Sequence, residues 1–299
     1  MVNIRTISKN NYLVLVKYTS IKDKEPELTS FNRIIETYSP SEVHYAAKTT
    51  KLAQYHPIYD AEIPIVTPDK NTIICSGVEA CKTYLSLLSV IAPEYIEFLS
   101  LLSRTEKECI YITGSLALGY MREYSDIDIV MDISKPHCID LPLEIETLAK
   151  PLDKEILDDW IARESRTRNT KPLVARKNYT PWRRFIFRNR IFSTSLVSIT
   201  RRTQVERRIF YIDKLELLRL LVEIEPSQES LGDYPGIVVT TGGDIIVIYD
   251  QFYLPKLFEG GKFVVEGVKG YLVDSRDNHV EEAVFVGLHE LDTKIEPLS

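Results

Sequence analysis

The chain has 299 residues, enough for a large core and two or three domains, with 44% hydrophobic and 27% charged residues, as in an ordinary globular protein. No apolar run reaches the eighteen or so residues of a membrane span, and the apolar stretch after Lys9, Asn10 and Asn11 is too short for a secretory signal, so a cytoplasmic protein is expected. The net charge of −6 argues against nucleic acid as a whole-protein property, yet it conceals a segregation described below.

Residues 1–78 read as a small mixed α/β domain. Tyr12–Val16 and Ala61–Val66 are short strand runs, 30–47 is helical in part, and Pro68–Asn71 is a turn before an extended Thr72–Cys75. Apolar residues spaced by three and four predict a helix from Val78 to Val90, and Tyr95–Leu102 predicts another. Cys109–Thr113 is a buried strand that ends at Gly114, and Leu116–Met121 makes a short helix. Asp126-Ile-Asp-Ile129 alternates acid and apolar before Val130 and Met131, which predicts a strand with one functional face. Leu143–Ile161 is helical with a break near Pro151, Arg190–Ile199 is extended, and Lys214–Glu223 looks like a connecting helix with Leu215, Leu218, Leu221 and Val222 on its apolar side. Beyond Pro226 the texture is β: a hairpin of Ile237–Thr241 and Ile245–Tyr249 around Gly242-Gly243, then Phe263–Val265, Gly270–Val273 and Ala283–Val286.

Cys75, Cys81, Cys109 and Cys138 have no paired metal-ligand spacing, and the adjacent His137 and Cys138 point to different sides. Reduced, buried thiols are the expectation.

The chemistry concentrates between Tyr111 and Val130. Gly114 lets the chain leave a strand with its backbone close to a ligand. Ser115 then starts a helix, where a hydroxyl and free N–H groups can hold a phosphate. Asp126 and Asp128 emerge on the same face of one strand because side chains alternate with period two. Carboxylates held about 6–7 Å apart suit hard divalent cations, and two such ions can position a triphosphate. The bland alternative is a solvated pair on an edge strand, but Ile127, Ile129 and Val130 favour a central one.

Gly-Ser, a spacer of about ten and Asp-apolar-Asp between helix and strand resembles the DNA polymerase β-type nucleotidyltransferase superfamily, and more narrowly archaeal predicted nucleotidyltransferases. The resemblance implies a core of mixed sheet and helices at 79–213; with the N-terminal domain at 1–78 and a C-terminal β-rich domain at 214–299, both read from the residue pattern alone, the expected fold is α+β. It implies transfer of a nucleoside monophosphate from an NTP to a hydroxyl with Mg²⁺ or Mn²⁺. Gly114 and Ser115 would bind the nucleotide, and Asp126 and Asp128 would be catalytic metal ligands. The family's third carboxylate, on a neighbouring strand, has no counterpart in Arg190–Ile199, which offers only Ser193, Ser195 and Ser198. Asp213 is the substitute chosen here, while Asp132 reads as a surface residue at a strand end. Without a third acid, activity would be weak, partner-dependent or absent.

From Arg163 to Arg208 fourteen basic residues face only Glu164 and Glu206, a net charge of +12 against −18 elsewhere. Such segregation points to a polyanion. Tyr179, Trp182, Phe185 and Phe187 sit among Arg183, Arg184, Arg188 and Arg190, as stacking and phosphate contacts to RNA or another single strand require. Two competing explanations are core packing of the rings and neutralisation of the arginines by the acidic domains. The reading is a cytoplasmic enzyme that transfers a nucleotide to RNA. The alternative is a nucleic-acid-binding protein with a degenerate transferase core. Few Gln, Met and Cys hint at a thermophilic source.

Overall fold

The computed structural model describes residues 2–8, 11–15, 18–20, 31–33, 40–56, 61–66, 88, 90–117, 125–198, 208–211, 216–233, 235–274, 279–287 and 293–298. The expected strand Thr72–Cys75, most of the helix Val78–Val90, the end of the helix at Met121, and Asp213 lie outside them.

At the N-terminus, β1 (Val2–Ser8), β2 (Asn11–Leu15), β3 (Tyr18–Ser20), β4 (Phe31–Arg33), β5 (Ala53–His56) and β6 (Ala61–Val66) accompany the helix Pro40–Thr49. Four of the strands form an antiparallel sheet in the order β1-β2-β6-β5, and β3 pairs with β4.

The central sheet is mixed, as expected. It comprises β7 (Ile110–Ile112), β8 (Ile127–Asp132), β9 (Lys150–Pro151), β10 (Arg184–Phe187) and β11 (Arg190–Val197), ordered β7-β8-β11-β10-β9. Only β8 and β11 are parallel; the other pairs are antiparallel. The crossover carries helices Leu141–Leu148, Lys154–Thr167 and Pro172–Lys177. Strand β10 turns directly into β11 through Arg188 and Asn189, both at positive φ (48° and 65°), the conformation of the tight hairpin turns whose twist matches the strands.

Alternation sorts the two faces of this sheet. Ile127 and Ile129 of β8, Phe185 and Phe187 of β10 and Phe192 of β11 are buried. Phe98, from helix Pro93–Leu101, lies 5.2–5.6 Å from the rings of Phe185, Phe187 and Phe192, and Phe185 stacks on Phe192 at 5.1 Å. Each such aromatic pair contributes about 0.5–1.5 kcal/mol beyond the area it buries. Phe185, Phe187 and Trp182 therefore belong to the core and are not stacking platforms for a base.

The C-terminal sheet contains β12 (Arg208–Tyr211), β13 (Leu217–Ile224), β14 (Gly236–Val239), β15 (Ile245–Ile248), β16 (Gly261–Asp274), β17 (Val280–Val286) and β18 (Lys294–Pro297). Strand β16 is its spine. Its first half pairs with β13 and β18, its second with β12 and β17. The short strands expected at Phe263–Val265 and Gly270–Val273 are both parts of it. Two sequence expectations change here. Strand β12, assigned to the core, hydrogen-bonds into the C-terminal sheet. The segment read as a connecting helix is β13, because Val222 and Ile224 are buried and Leu218 and Leu220 half-buried while Leu217, Arg219, Leu221 and Glu223 are exposed. That is a period of two, and the leucine spacing alone could not distinguish it from helix.

The expectation of reduced cysteines is corrected at Cys109 and Cys138, which form a disulfide with Cα atoms 5.6 Å apart. Cys109 precedes β7 and Cys138 ends the turn after β8, so the bond staples the ends of these strands away from Gly114. Closing a loop of this length contributes about 3–4 kcal/mol in the chain-entropy picture.

The core and the C-terminal sheet share one hydrophobic cluster. Trp160 stacks on Phe252 and Trp182 packs edge-on against Phe258, while the Trp182 indole donates to Glu259 at 2.9 Å. Across the same seam Arg168 donates to both oxygens of Asp250, at 2.5 and 3.0 Å, and also pairs with Glu164. Burial disfavours the Arg168 charge, but Asp250 and Glu164 outweigh it and raise its pKa above the ordinary arginine value. Removing one partner from so enclosed a pair leaves a buried charge uncompensated. Asp250→Ala should therefore lower unfolding stability by about 3–5 kcal/mol, read from the urea midpoint. A loss below 1 kcal/mol would mean that Glu164 alone neutralises Arg168.

Candidate active site

The site begins where β7 ends. Thr113 N–H donates to the Asp128 carbonyl at 2.9 Å, which continues the β7–β8 pairing to the very edge of Gly114. Gly114 then takes φ +64°, and the chain enters the short helix Gly114–Ala117, in which Ser115 is buried. A methyl group added at Gly114 would lie 2.0 Å from Asp128 Oδ2 and 2.8 Å from its carboxyl carbon. Only glycine permits both the backbone turn and the carboxylate pressed against it.

Asp126 sits one residue before β8, and Asp128 lies within it on the same face; β8 is an interior strand between β7 and β11, as its apolar partners implied. The parallel register sets Ser193 opposite Asp128, and the hairpin register sets Arg184 opposite Ser193. One row across three strands therefore reads Asp128, Ser193, Arg184. Asp126 joins it from the side. Ser193 Oγ donates to Asp126 Oδ2 at 3.1 Å, Arg184 Nη1 donates to Ser193 Oγ at 2.8 Å, and the same Nη1 lies 3.2 Å from Asp126 Oδ2. The Arg184 backbone is held as well: its carbonyl accepts the Tyr179 hydroxyl at 2.9 Å, and that hydroxyl accepts Leu152 N–H at 3.0 Å. Burial raises the Tyr179 pKa, so the phenol stays protonated and keeps donating.

The structure thus brings together Gly114, Ser115, Asp126 and Asp128. Asp213 lies outside the described residues. Asp132 is not the expected surface residue; it is buried and accepts hydrogen bonds from the Ser134 N–H and hydroxyl, at 3.1 and 2.6 Å, which shape the turn after β8. Among the described residues no third acid joins Asp126 and Asp128. Among the described residues the only cluster of three potential metal ligands is Cys109, His137 and Cys138, whose thiols are tied up in the disulfide. Two carboxylates and the Ser193 hydroxyl nevertheless form an all-oxygen set that fits a hard divalent cation.

The four arginines assigned to nucleic acid have other occupations. Arg183 donates to the Phe252 carbonyl at 2.7 Å and lies over the rings of Trp160 and Phe252; burial of its guanidinium lowers its pKa to about 10. Arg184 serves Asp126. Arg188 pairs with Glu97 at 2.7 Å and Arg190 with Glu94 at 3.7 Å, both on the helix Pro93–Leu101. With Arg176 on Asp158 and Lys177 on Glu296, much of the segment's positive charge meets acids from elsewhere in the chain. Neutralisation across the protein was the stated competitor of a free basic surface, and these pairs follow it. The role missed at the sequence level is that of Arg184, for which no linear signal exists, because it depends on the hairpin register.

Residues 94–192 match the family model of the nucleotidyltransferase domain, from the first turn of the helix Pro93–Leu101 to Phe192 in β11. No curated protein and no solved structure matches the chain.

Two outcomes are expected. Gly114→Ala should cost about 1–2 kcal/mol from the left-handed backbone alone, visible as a lowered melting temperature. A melt equal to wild type would show that Gly114 does not hold the left-handed turn. Arg183→Glu, which brings an acid into a half-buried place near Asp250 and Glu164, should destabilise by about 2–3 kcal/mol. Arg188→Glu, on an exposed pair, should change stability by less than about 1 kcal/mol. Equal effects in denaturant titrations would contradict the half-buried setting of Arg183 over Trp160 and Phe252.

Proposed function

We propose, from the match of residues 94–192 to the nucleotidyltransferase domain, that this protein transfers a nucleoside monophosphate from an NTP to an acceptor hydroxyl in a reaction that needs a divalent cation. The observation that carries the reading is the convergence of Asp128 on Gly114, with Asp126 alongside.

In this reading Asp126 and Asp128 hold Mg²⁺ or Mn²⁺, which supplies charge neutralisation for the triphosphate when bound. Gly114 lets the chain turn beside the Asp128 carboxylate, and Ser115 offers its hydroxyl and N–H to the phosphates. The acceptor oxygen bonds to the α-phosphorus, the bond to the pyrophosphate oxygen breaks, and the acceptor proton passes to solvent. The acidic face of β8 orients the nucleotide, while the apolar face behind it fixes the strand against Phe98, Phe185 and Phe192.

RNA was the acceptor expected from the charge distribution. Arg183, Arg184, Arg188 and Arg190 are engaged within the protein, so an RNA acceptor now rests on the rest of the basic segment, including exposed Arg166 and Lys171. The second reading, a core that binds nucleotide without transferring it, draws on one observation: Ser193 and Arg184 stand where a third carboxylate is expected.

The test is incubation with each α-labelled NTP and Mg²⁺ or Mn²⁺, with total RNA and with the protein alone. Label should pass to one acceptor, and Asp126→Asn or Asp128→Asn should reduce transfer by about 100-fold or more. NTP binding without transfer establishes the second reading. Transfer at the wild-type rate by the Asp126→Asn/Asp128→Asn variant places the chemistry elsewhere.

A further inference from the structure

The two-ion arrangement expected from the sequence needs negative charge on both sides of the cation pair, and the row across the central sheet supplies something different. Opposite Asp128, where a neighbouring strand would bring a third acid, β11 carries Ser193. Next in the row, β10 carries a cation. Arg184 is no stray surface charge: its side chain is 17% exposed, its backbone is held by the hairpin and by Tyr179, and its Nη1 binds Ser193 Oγ and Asp126 Oδ2 at once. We infer that Arg184 takes the place of a second metal ion, so that the site holds a single divalent cation, on Asp126 and Asp128.

The physical case rests on charge and on ligand count. Asp126 and Asp128 together bring two negative charges, and the Arg184 guanidinium faces Asp126. A first divalent ion brings the local sum of these groups to positive. A second would approach Arg184 and the first ion with no further carboxylate among the described residues to hold it. Repulsion between like charges a few ångströms apart is large wherever solvent is partly excluded. Ser193, a neutral oxygen, orients Asp126 and Arg184 relative to each other without altering that sum. Arg184 also competes with the first ion for Asp126 Oδ2, so metal binding by the nucleotide-free protein is weaker than the two carboxylates alone would give. Arg184 and Ser193 are thus positioning residues: they decide how many ions enter and how tightly.

This inference rests on the nucleotidyltransferase reading, and counting ions separates the two. Mn²⁺ is titrated into the full-length protein, alone and with a non-hydrolysable NTP, with free Mn²⁺ followed by electron paramagnetic resonance. Wild type should bind one Mn²⁺ per chain with the analogue present. Without nucleotide, Arg184→Gln should bind its ion on the order of tenfold more tightly, because the competing charge is gone. The Arg184→Gln/Ser193→Asp variant, which restores a third carboxylate, should bind two. Two ions in wild type overturn the inference and leave the functional reading standing; none, with no nucleotide bound, overturns both. Unchanged or weaker Mn²⁺ binding by Arg184→Gln overturns it as well, and so does a folded double variant that still takes one ion. If circular dichroism shows the double variant unfolded, the Arg184→Gln affinity and the wild-type count decide.

Discussion

Parallel pairing of β8 with β11 is the constraint on which the site depends. It sets Phe192 beside Ile127, Ser193 beside Asp128 and Thr194 beside Ile129. A slip of one residue would move Ser193 to the buried face and bring a phenylalanine beside the aspartates, because strand side chains alternate with strict period two. What prevents the slip is packing on the opposite face, where Phe192 stacks on Phe185 and meets Phe98. The apolar side of the sheet thus specifies the register, and the register composes the polar side. Closure of the hairpin through Arg188 and Asn189 extends the same register to Arg184.

Charge segregation along the chain finds its explanation in pairing at a distance. Arg168 crosses to Asp250, 82 residues away, and Lys177 to Glu296, 119 residues away. Two further arginines clamp the β10–β11 hairpin to the helix Pro93–Leu101 through Glu94 and Glu97. Asn178 adds a neutral tie by donating to the Ile295 carbonyl at 3.1 Å. A buried ion pair is no strong source of stability, since desolvation offsets much of its attraction. It does specify which surfaces meet. The basic central segment and acids on either side of it act here as complementary faces of one protein, with Trp160 on Phe252 and Trp182 on Phe258 supplying the apolar area between them.

Asp126 and Asp128 sit at the opposite end of β7 and β8 from the disulfide. Cys109 and Cys138 tie the far ends together, and the near end is held by Thr113 and by the fit of Asp128 onto Gly114. Both ends of the β7–β8 pair are restrained, which keeps Asp126 and Asp128 at a set distance from Gly114 and Ser115. None of the described helices is long and apolar enough to cross a membrane.

Local chemistry determined what was legible in the sequence. Gly114 and Ser115 after an apolar strand, and Asp126 and Asp128 two apart between isoleucines, disclose their arrangement because strand period and glycine freedom act over two or three residues. The β-rich C-terminal segment follows from the same short-range patterns, whereas the mixed central sheet was implied by the family resemblance alone. Tertiary structure alone decided the rest. Residues 217–224 became a strand since β16 offered an edge for pairing, although leucine spacing fitted a helix. Cys109 and Cys138 met because β7 and β8 pair antiparallel. Arg184 came to face Asp126 through two successive registers, β10 on β11 and β11 on β8, and Arg183 turned inward because Phe252 and Trp160 close over it. Each of these joins residues distant in sequence, and what selects such a pair is the packing of the whole core, which no short window of the chain contains.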